Sequence, residues 1–337
     1  PTVRELDQLA TLFDEVVHIA PLHRGPPRET ACGYESQRVR FRPVRPAGGV
    51  GPPAKLGILV QIPSWVAAIL SELRHADAVH VRCPANISLV AVLVLALTRR
   101  PLPRWTKYAG NWSPTASEAG SYRLQRWMLR RNLSRSEVTV NGSWPAQPDH
   151  VHSFLNPTLT EHELGAAARV AADKTLEGEV HIVFAGRLEE PKGAGRVLDI
   201  ADRLAASGVP FHLHLAGDGP ERSRYESLAS ERRLDRLVTF HGWIDRTELD
   251  RLYATAHIAL LPSSSEGFPK VLAEGMAYGA VPLASDVSGI RAELQEAGAG
   301  MALPPSDVHA FVAAVTELAQ PDLWRRESAA AVRAARR

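Results

Sequence analysis

The chain has 337 residues, 45% of them hydrophobic and 23% charged, an ordinary balance for a well-cored protein long enough for about two domains. Its two cysteines, Cys32 and Cys83, are isolated, which excludes a disulfide-stapled secreted scaffold and makes a reducing cytoplasm the expected compartment. The net charge of +2 conceals an asymmetry: residues 1–150 carry 19 Lys/Arg against 11 Asp/Glu, the remainder 20 against 26. A basic front half suits an anionic acceptor or membrane surface. Nucleic acid is not expected, because the basic residues are not interleaved with aromatic stacking platforms.

Taken in order, the pattern predicts a helix over residues 2–13 and a strand over 15–20. A Pro/Gly/Arg-rich region, 21–53, follows, with a strand at 38–44. Gly48, Gly49 and Gly51 lie in it without a strand–loop–helix context and read as a loop. Residues 56–74 favour a helix bent at Pro63, then come a strand at 78–82 and a buried helix at 87–98. The run 87–97, taken as the longest apolar one, is too short to cross a bilayer. A strand at 104–109, an amphipathic helix at 121–133 and a last strand at 137–140 complete one α/β unit. The polar, Ala-rich stretch from Asn156-Pro157 to Glu179 reads as a connection.

The pattern then becomes regular. Strands are predicted at 180–185, 211–216, 237–241, 257–261, 280–284 and 300–303, with helices starting near Gly193, Pro220, Thr247, Pro269, Gly289 and Asp307. Six such βα units make one complete doubly wound domain, whose ligands lie at the carboxyl ends of the strands. An Arg/Ala-rich helix, 321–337, ends the chain.

The stretch carrying most information is 260–279, LLPSSSEGFPKVLAEGMAYG. A buried strand runs into a polar turn, and Pro269 suits the first position of the next helix. Unpaired backbone N–H groups and the positive end of a helix dipole there make an anion site. Glu266 and Glu274 frame it. Carboxylates hold phosphate poorly but accept hydrogen bonds from sugar hydroxyls, so the pair points to a ligand that is half phosphate, half sugar. After the first strand of the same domain come Gly186, Arg187, Lys192 and Gly193. Gly217-Asp218-Gly219-Pro220 follows the second and reads as a structural turn; His241-Gly242-Trp243 ends the third.

Glu266-Gly-Phe-Pro-Lys-Val-Leu-Ala-Glu274, set after a hydrophobic strand and SSS, resembles the E-x7-E signature of the family 4 retaining glycosyltransferases, enzymes of the GT-B fold. The Arg187/Lys192 loop and the GDGP turn are similar to motifs of the same family. The resemblance is dense over 180–319 and covers the first domain only in outline. It implies two facing Rossmann-like α/β domains with parallel sheets and an interdomain cleft. Residues 1–157 would be the acceptor-side domain and 158–320 the donor domain; the helix at 321–337 would return toward the first. The family's first domain opens with a strand and a glycine-rich loop, whereas this chain opens on a helix, so a leading segment is expected to be missing.

The resemblance further implies sugar transfer from a nucleoside-diphosphate sugar, UDP- or GDP-linked, to an acceptor hydroxyl of a glycan, glycolipid or small molecule, with retention and without other cofactor or metal. Arg187 and Lys192 would grip the diphosphate, with Gly186 at the start of their loop. Glu266 would bind the donor sugar and Glu274 the ribose hydroxyls, while the N–H groups of Gly267 and Phe268, ahead of Pro269, meet the phosphates. Two readings stand for Lys270, phosphate contact or an i,i+4 pair with Glu274. Trp243 is either a base-stacking platform or a packed aromatic.

Many family members carry a histidine in the first domain close to the reacting sugar. The corresponding segment here, Lys107 to Trp112, has none. Arg82, Tyr108 and Asn111 are the acceptor-side candidates, and His80 reads as a core residue. His212 and His214 share a strand face, too few for a metal site. The helix with Arg123, Arg126, Arg130 and Arg131, continued to Arg135, joins basic and Trp/Met/Leu sides, which suits peripheral contact with the inner face of a membrane. Two alternatives remain open: another GT-B enzyme such as a sugar-nucleotide 2-epimerase, and a non-catalytic nucleotide-sugar-binding subunit.

Overall fold

A computed structural model describes residues 2–23, 25, 33–49, 51–113, 118–142, 144, 146–154, 159–266 and 269–336. They group into two compact units, 1–110 with 117–140 and 145–153, and 111–116 with 141–144 and 154–337.

The first unit contains α1 (Thr2–Leu9), β1 (Val16–Pro21), β2 (Val39–Val44), α2 (Pro52–Leu73), β3 (Val79–Cys83), α3 (Asn86–Leu97), β4 (Arg104–Tyr108), α4 (Gly120–Arg130), β5 (Glu137–Asn141) and β6 (Val151–Phe154). The expected strands and helices are present, but not as one sheet. β1 and β2 form a two-stranded parallel ribbon in register Val16↔Val39, separate from the four-stranded sheet β3-β4-β5-β6. β6 was not anticipated; four residues are too few for a period to declare itself.

α2 also departs from expectation. It starts at Pro52 and continues through Pro63, and its stretch Ala54–Leu73 is long and apolar enough to cross a membrane by length and composition. One side is internal: Trp65 and Ile69 pack against Val90 and Val94 of α3, and the Trp65 indole donates to the Arg45 carbonyl at 3.0 Å. The opposite side leaves Leu56, Leu59 and Val60 exposed.

Two buried cations organise this unit. Arg104, almost fully enclosed, donates to the carbonyls of Leu95, Thr98, Pro101 and Ser134, joining the end of α3 to the turn before β5. Lys107 reaches Glu5 of α1 at 2.9 Å. Neither position has a spacing signal.

The second unit follows the predicted alternation closely. It contains α5 (Glu161–Asp173), β7 (Val180–Ala185), α6 (Ala194–Ser207), β8 (Phe211–Ala216), α7 (Arg222–Glu231), β9 (Val238–Gly242), α8 (Arg246–Thr255), β10 (Ile258–Leu261), α9 (Lys270–Ala277), β11 (Val281–Ser285), α10 (Ile290–Ala297), β12 (Met301–Leu303), α11 (Val308–Leu318) and α12 (Pro321–Ala335). The sheet order is β12-β11-β10-β7-β8-β9, the doubly wound arrangement whose order reverses between β7 and β10. β10 and β11 are buried throughout, as expected for central parallel strands covered on both faces. The presumed connection before β7 is instead α5, because Thr160 and Glu163 close a reciprocal capping box at its start. α12 packs on α9 and α5, with the Trp324 indole donating to the His257 carbonyl at 3.0 Å.

Lys174, partly buried, ties the helix ends together. Its ammonium donates to the carbonyls of Tyr253, Ala256 and Tyr278 at 2.6–2.9 Å, at the C-terminal ends of α8 and α9. A cation suits two negative dipole ends, while burial pulls its pKa down to about 7.

His214 belongs to a longer row, with His212 beside it. His257, just before β10, is followed by His181, His214 and His241 on β7, β8 and β9, with His181 Nδ1 3.3 Å from His214 Nε2 and His214 Nδ1 3.0 Å from His241 Nε2. Among the described residues no group of three or more His, Cys, Asp or Glu has metal-holding geometry. His257 shows why the row stays neutral. Its Nδ1 accepts from the His181 amide at 2.9 Å while Nε2 meets the Thr175 carbonyl at 3.0 Å, so a second proton would set N–H against N–H. Glu179, Glu248 and Lys174 are the charged neighbours of the row. Burial lowers His214 and His257 to about 4. Depressed histidines leave the unfolded chain binding more protons between about pH 6.5 and 4, so stability is complete above that window and falls through it. The thermal midpoint is expected to drop as pH is lowered from 6.5 to 4, and His257→Asn, which keeps an acceptor but cannot titrate, is expected to flatten that slope. Scanning calorimetry across the range checks it; an unchanged slope contradicts it.

Candidate active site

The site forms where three strand-end loops of the second unit meet. After β7 the chain runs through Gly186 into a 3-10 turn, Glu190–Lys192, and leaves by Gly193 at φ +82°. After β8, Gly217 at φ +142° and Gly219 lie directly on the first loop: a Cβ at Gly217 would overlap the Gly186 carbonyl, and one at Gly219 the Leu188 carbonyl. The Leu188 amide donates to the Asp218 carbonyl at 3.0 Å. The Asp218 carboxylate accepts from the neighbouring Gly219 amide at 2.7 Å, as a residue holding the turn would. After β10, the Ser264 amide donates to the Pro191 carbonyl at 2.9 Å, and a Cβ at Gly193 would overlap the Pro262 carbonyl. Arg196 of α6 locks the same point, its Nε donating to the Pro262 oxygen at 2.6 Å. Arg196 was not anticipated, since an arginine in the first turn of a helix reads as solvated.

This packing brings together Lys192 and Glu266, 74 residues apart. The ammonium lies 2.9 Å from both carboxylate oxygens, and Glu266 is only 8% exposed. The pair stands at the carboxyl ends of β7 and β10, the two neighbours at which the strand order reverses. In open α/β sheets that is where the ligand crevice forms. The Glu266 carbonyl accepts from Ser288 Oγ at 2.5 Å, and Ser288 Oγ accepts from the Asn111 side-chain amide at 2.8 Å. Ser288 adopts φ +56°, an uncommon conformation for a residue with a Cβ. A serine ahead of a helix start carries no signal in the sequence that would single it out.

Glu274, in the second turn of α9, is buried but faces a different partner from the one expected. Arg246 Nη1 of α8 lies 2.9 Å from its Oε1, and the Tyr253 hydroxyl 3.4 Å from its Oε2. Arg246, a cation that tertiary packing supplies, is thus the leading partner of Glu274, and Lys270 of α9 adds a smaller attraction. Burial raises the Glu274 pKa, and Arg246 is the chief influence pulling it back. Pro269 is the N-cap of α9 rather than its first residue, with the helix starting at Lys270. Gly267 and Phe268 lie outside the described residues.

The other candidates separate. Arg187 is 68% exposed and pairs with Glu189 at 3.3 Å. Trp243 is 45% exposed and so is not a core aromatic, which leaves a base-stacking platform or an interface aromatic. In the first unit Arg82 is bound to Glu5 at 2.5 Å. Tyr108 is a core residue, 1% exposed, its hydroxyl accepting from Arg126 at 3.0 Å, so it lines no open surface. His80 stacks on Trp105 at 4.2 Å between centroids and is lowered by burial to about 4, as a core histidine should be. Cys83 is buried, its thiol pushed up to about 12, and Cys32 lies outside the described residues.

Residues 170–336 match the family model of glycosyl transferases group 1. Glycogen synthase of Mycobacterium tuberculosis is 28% identical over 227 residues, 65% of this chain and 54% of that one. The GDP-mannose-dependent alpha-(1-6)-phosphatidylinositol dimannoside mannosyltransferase of the same organism is 33% identical over 174 residues, 50% of this chain and 44% of that one. The chain thus spans about half the length of these relatives. Among solved structures, sucrose-phosphate synthase from Thermosynechococcus elongatus superposes with a TM-score of 0.72 at 22% identity, over 99% of this chain and 88% of that one. At that identity the likeness establishes the fold, which is GT-B.

Gly193 and Gly208 both adopt the left-handed conformation, but only Gly193 has a carbonyl where a Cβ would go. Gly208→Ala is expected to cost about 1–2 kcal/mol, the usual left-handed penalty, and Gly193→Ala clearly more because the loop must also move. Urea unfolding of the two variants checks the difference; equal losses would mean that the loops are not held in contact.

Proposed function

We propose that this protein is a retaining glycosyltransferase that moves a sugar from a UDP- or GDP-linked donor to an acceptor hydroxyl of a glycan, glycolipid or small molecule. The observation that carries the reading is the Lys192–Glu266 pair at the strand-order reversal, beside the start of α9. A departing nucleoside diphosphate gains negative charge as the glycosidic bond breaks. Lys192, Arg187 and the N–H groups at the start of α9, with those of Gly267 and Phe268, stabilise that charge where it develops. Glu266 then accepts hydrogen bonds from the donor sugar and Glu274 from the ribose, with the exposed Trp243 indole available to the base. The family-model match and the relatives named for sugar transfer support the donor class.

In the free protein Lys192 is neutralised by Glu266, so diphosphate binding requires the ammonium to turn from carboxylate to phosphate. That exchange separates the two residues experimentally. Titration calorimetry with UDP, GDP and ADP is expected to identify one diphosphate that binds, with Lys192→Ala weakening it at least tenfold, about 1.4 kcal/mol. Glu266→Gln removes the competing charge and is expected to bind that diphosphate at least as tightly while losing sugar transfer. If none of the three binds at millimolar concentration, or Glu266→Gln transfers sugar normally, the assignment fails. Release of diphosphate only when an acceptor is supplied separates transfer from epimerisation and from binding without turnover.

We further propose that the protein works at the cytoplasmic face of a membrane. α4 exposes Leu124 and Trp127 alongside Arg123, Arg130 and Arg131, while Met128 and Leu129 face inward. The structure therefore divides this helix differently from the expected basic and Trp/Met/Leu sides: the outward face is itself mixed apolar and basic. α3 adds the exposed Leu93 and Leu97, followed by exposed Arg99 and Arg100. Aromatic and leucine side chains beside arginines suit the boundary between acyl chains and anionic headgroups. Co-flotation with vesicles containing phosphatidylglycerol, but not with phosphatidylcholine alone, is the expected result, weakened at least threefold in Trp127→Ser/Arg131→Ser. Equal recovery with both vesicle types would refute it.

A further inference from the structure

Glu274 is read above as the acceptor for the ribose hydroxyls, and the structure says what prepares it for that task. α8 begins at a well-defined point, because Asp245 caps it and closes a capping box with Glu248. Arg246 is the first residue after that cap, Asp250 follows one turn on, and Tyr253 stands seven residues after Arg246, on the same side of the helix. The guanidinium spans two carboxylates: Nη1 lies 2.9 Å from Glu274 Oε1, and Nε lies 2.9 Å from Asp250 Oδ1. The Tyr253 hydroxyl, in a fully buried ring, lies 3.4 Å from Glu274 Oε2.

An ionised carboxylate is an acceptor only, with two lone-pair directions on each oxygen. Arg246 occupies one on Oε1 and Tyr253 approaches one on Oε2. Beside these two contacts among the described residues, each oxygen keeps a second direction in the plane of the carboxylate, which matches two neighbouring hydroxyl donors. A nucleotide ribose presents such a pair at its 2′ and 3′ positions. The arrangement also offsets part of the cost of burying the carboxylate, since a buried acid left without a cation would take up a proton and turn half of its acceptor set into a donor.

We propose that Arg246 is a positioning residue for nucleotide binding, holding the Glu274 carboxylate ionised and turned so that its two free lone pairs face the ribose diol. Arg246 touches neither sugar nor phosphate and acts through Glu274. The proposal rests on Glu274 being the ribose acceptor, so its test must fail differently from that reading.

The measurement is calorimetric titration of whichever of UDP, GDP and ADP binds, beside the 2′-deoxy and 3′-deoxy forms of the same diphosphate. Wild type is expected to prefer the ribose form about tenfold over each deoxy form. Arg246→Met is expected to reduce that preference to less than threefold, chiefly by weakening the ribose form, with the deoxy forms little changed. Arg246→Lys, which keeps the charge but not the fork, is expected to fall between and carries the same comparison if the methionine variant does not fold. A purely structural arginine would weaken ribose and deoxy forms alike. If wild type discriminates and the Arg246 variants discriminate equally well, Arg246 does not position Glu274 and the proposal is overturned. Should wild type itself fail to discriminate, Glu274 is not the ribose acceptor, and the reading beneath the proposal falls first.

Discussion

Everything at the candidate site depends on how closely the backbones of three strand-end loops approach one another. Gly193, Gly217 and Gly219 each face a carbonyl where a side chain would otherwise begin. Because those contacts are backbone to backbone, neighbouring rotamers cannot relieve them, and the loops occupy one arrangement or none. Seating the loop after β7 against the loop after β10 is what carries Lys192 to Glu266. The ion pair is thus a product of loop packing, and Arg196 and Ser264 fasten the same seam through the carbonyls of Pro262 and Pro191.

Around that seam the electrostatics follow one rule: each buried carboxylate is given a cation from another element. Glu266 takes Lys192 and Glu274 takes Arg246. A buried acid without a partner would be neutral and unable to accept hydrogen bonds from hydroxyls at both oxygens. A pair made with a side-chain ammonium can also be exchanged for an anionic ligand, which a covalent link would not permit as readily. Lys174 plays the complementary part away from the site, where one ammonium serves the carbonyl ends of two helices.

The two units divide exposed apolar surface unevenly. Leu56, Leu59, Val60, Leu93, Leu97, Leu124 and Trp127 all belong to the first, which is also the basic part of the chain, whereas the second exposes Val170 and Trp243. An outward face that is both apolar and cationic is favoured at an anionic interface and is a liability in bulk water. The second unit is the more conventional core, with β10 and β11 enclosed on both faces.

Much of this was legible in the amino-acid order. Strand and helix alternation is local, so the six βα units of the second domain, its strand-end glycines and the place of Glu266 in the turn ahead of a helix could be read from periodicity and turn chemistry. Local signals also existed where they went unused, as in the Thr160–Glu163 box that makes α5 a helix. Tertiary structure alone decided the partners: Lys192 with Glu266 across 74 residues, Arg246 for Glu274, Arg82 for Glu5, and Tyr108 in the core. It also gathered His257, His181, His214 and His241, four widely separated histidines, into one row. The physical reason is range. Propensity, capping and turn preference act over a few residues and are written in neighbours, whereas a charge is neutralised by whatever the packed sheet sets beside it.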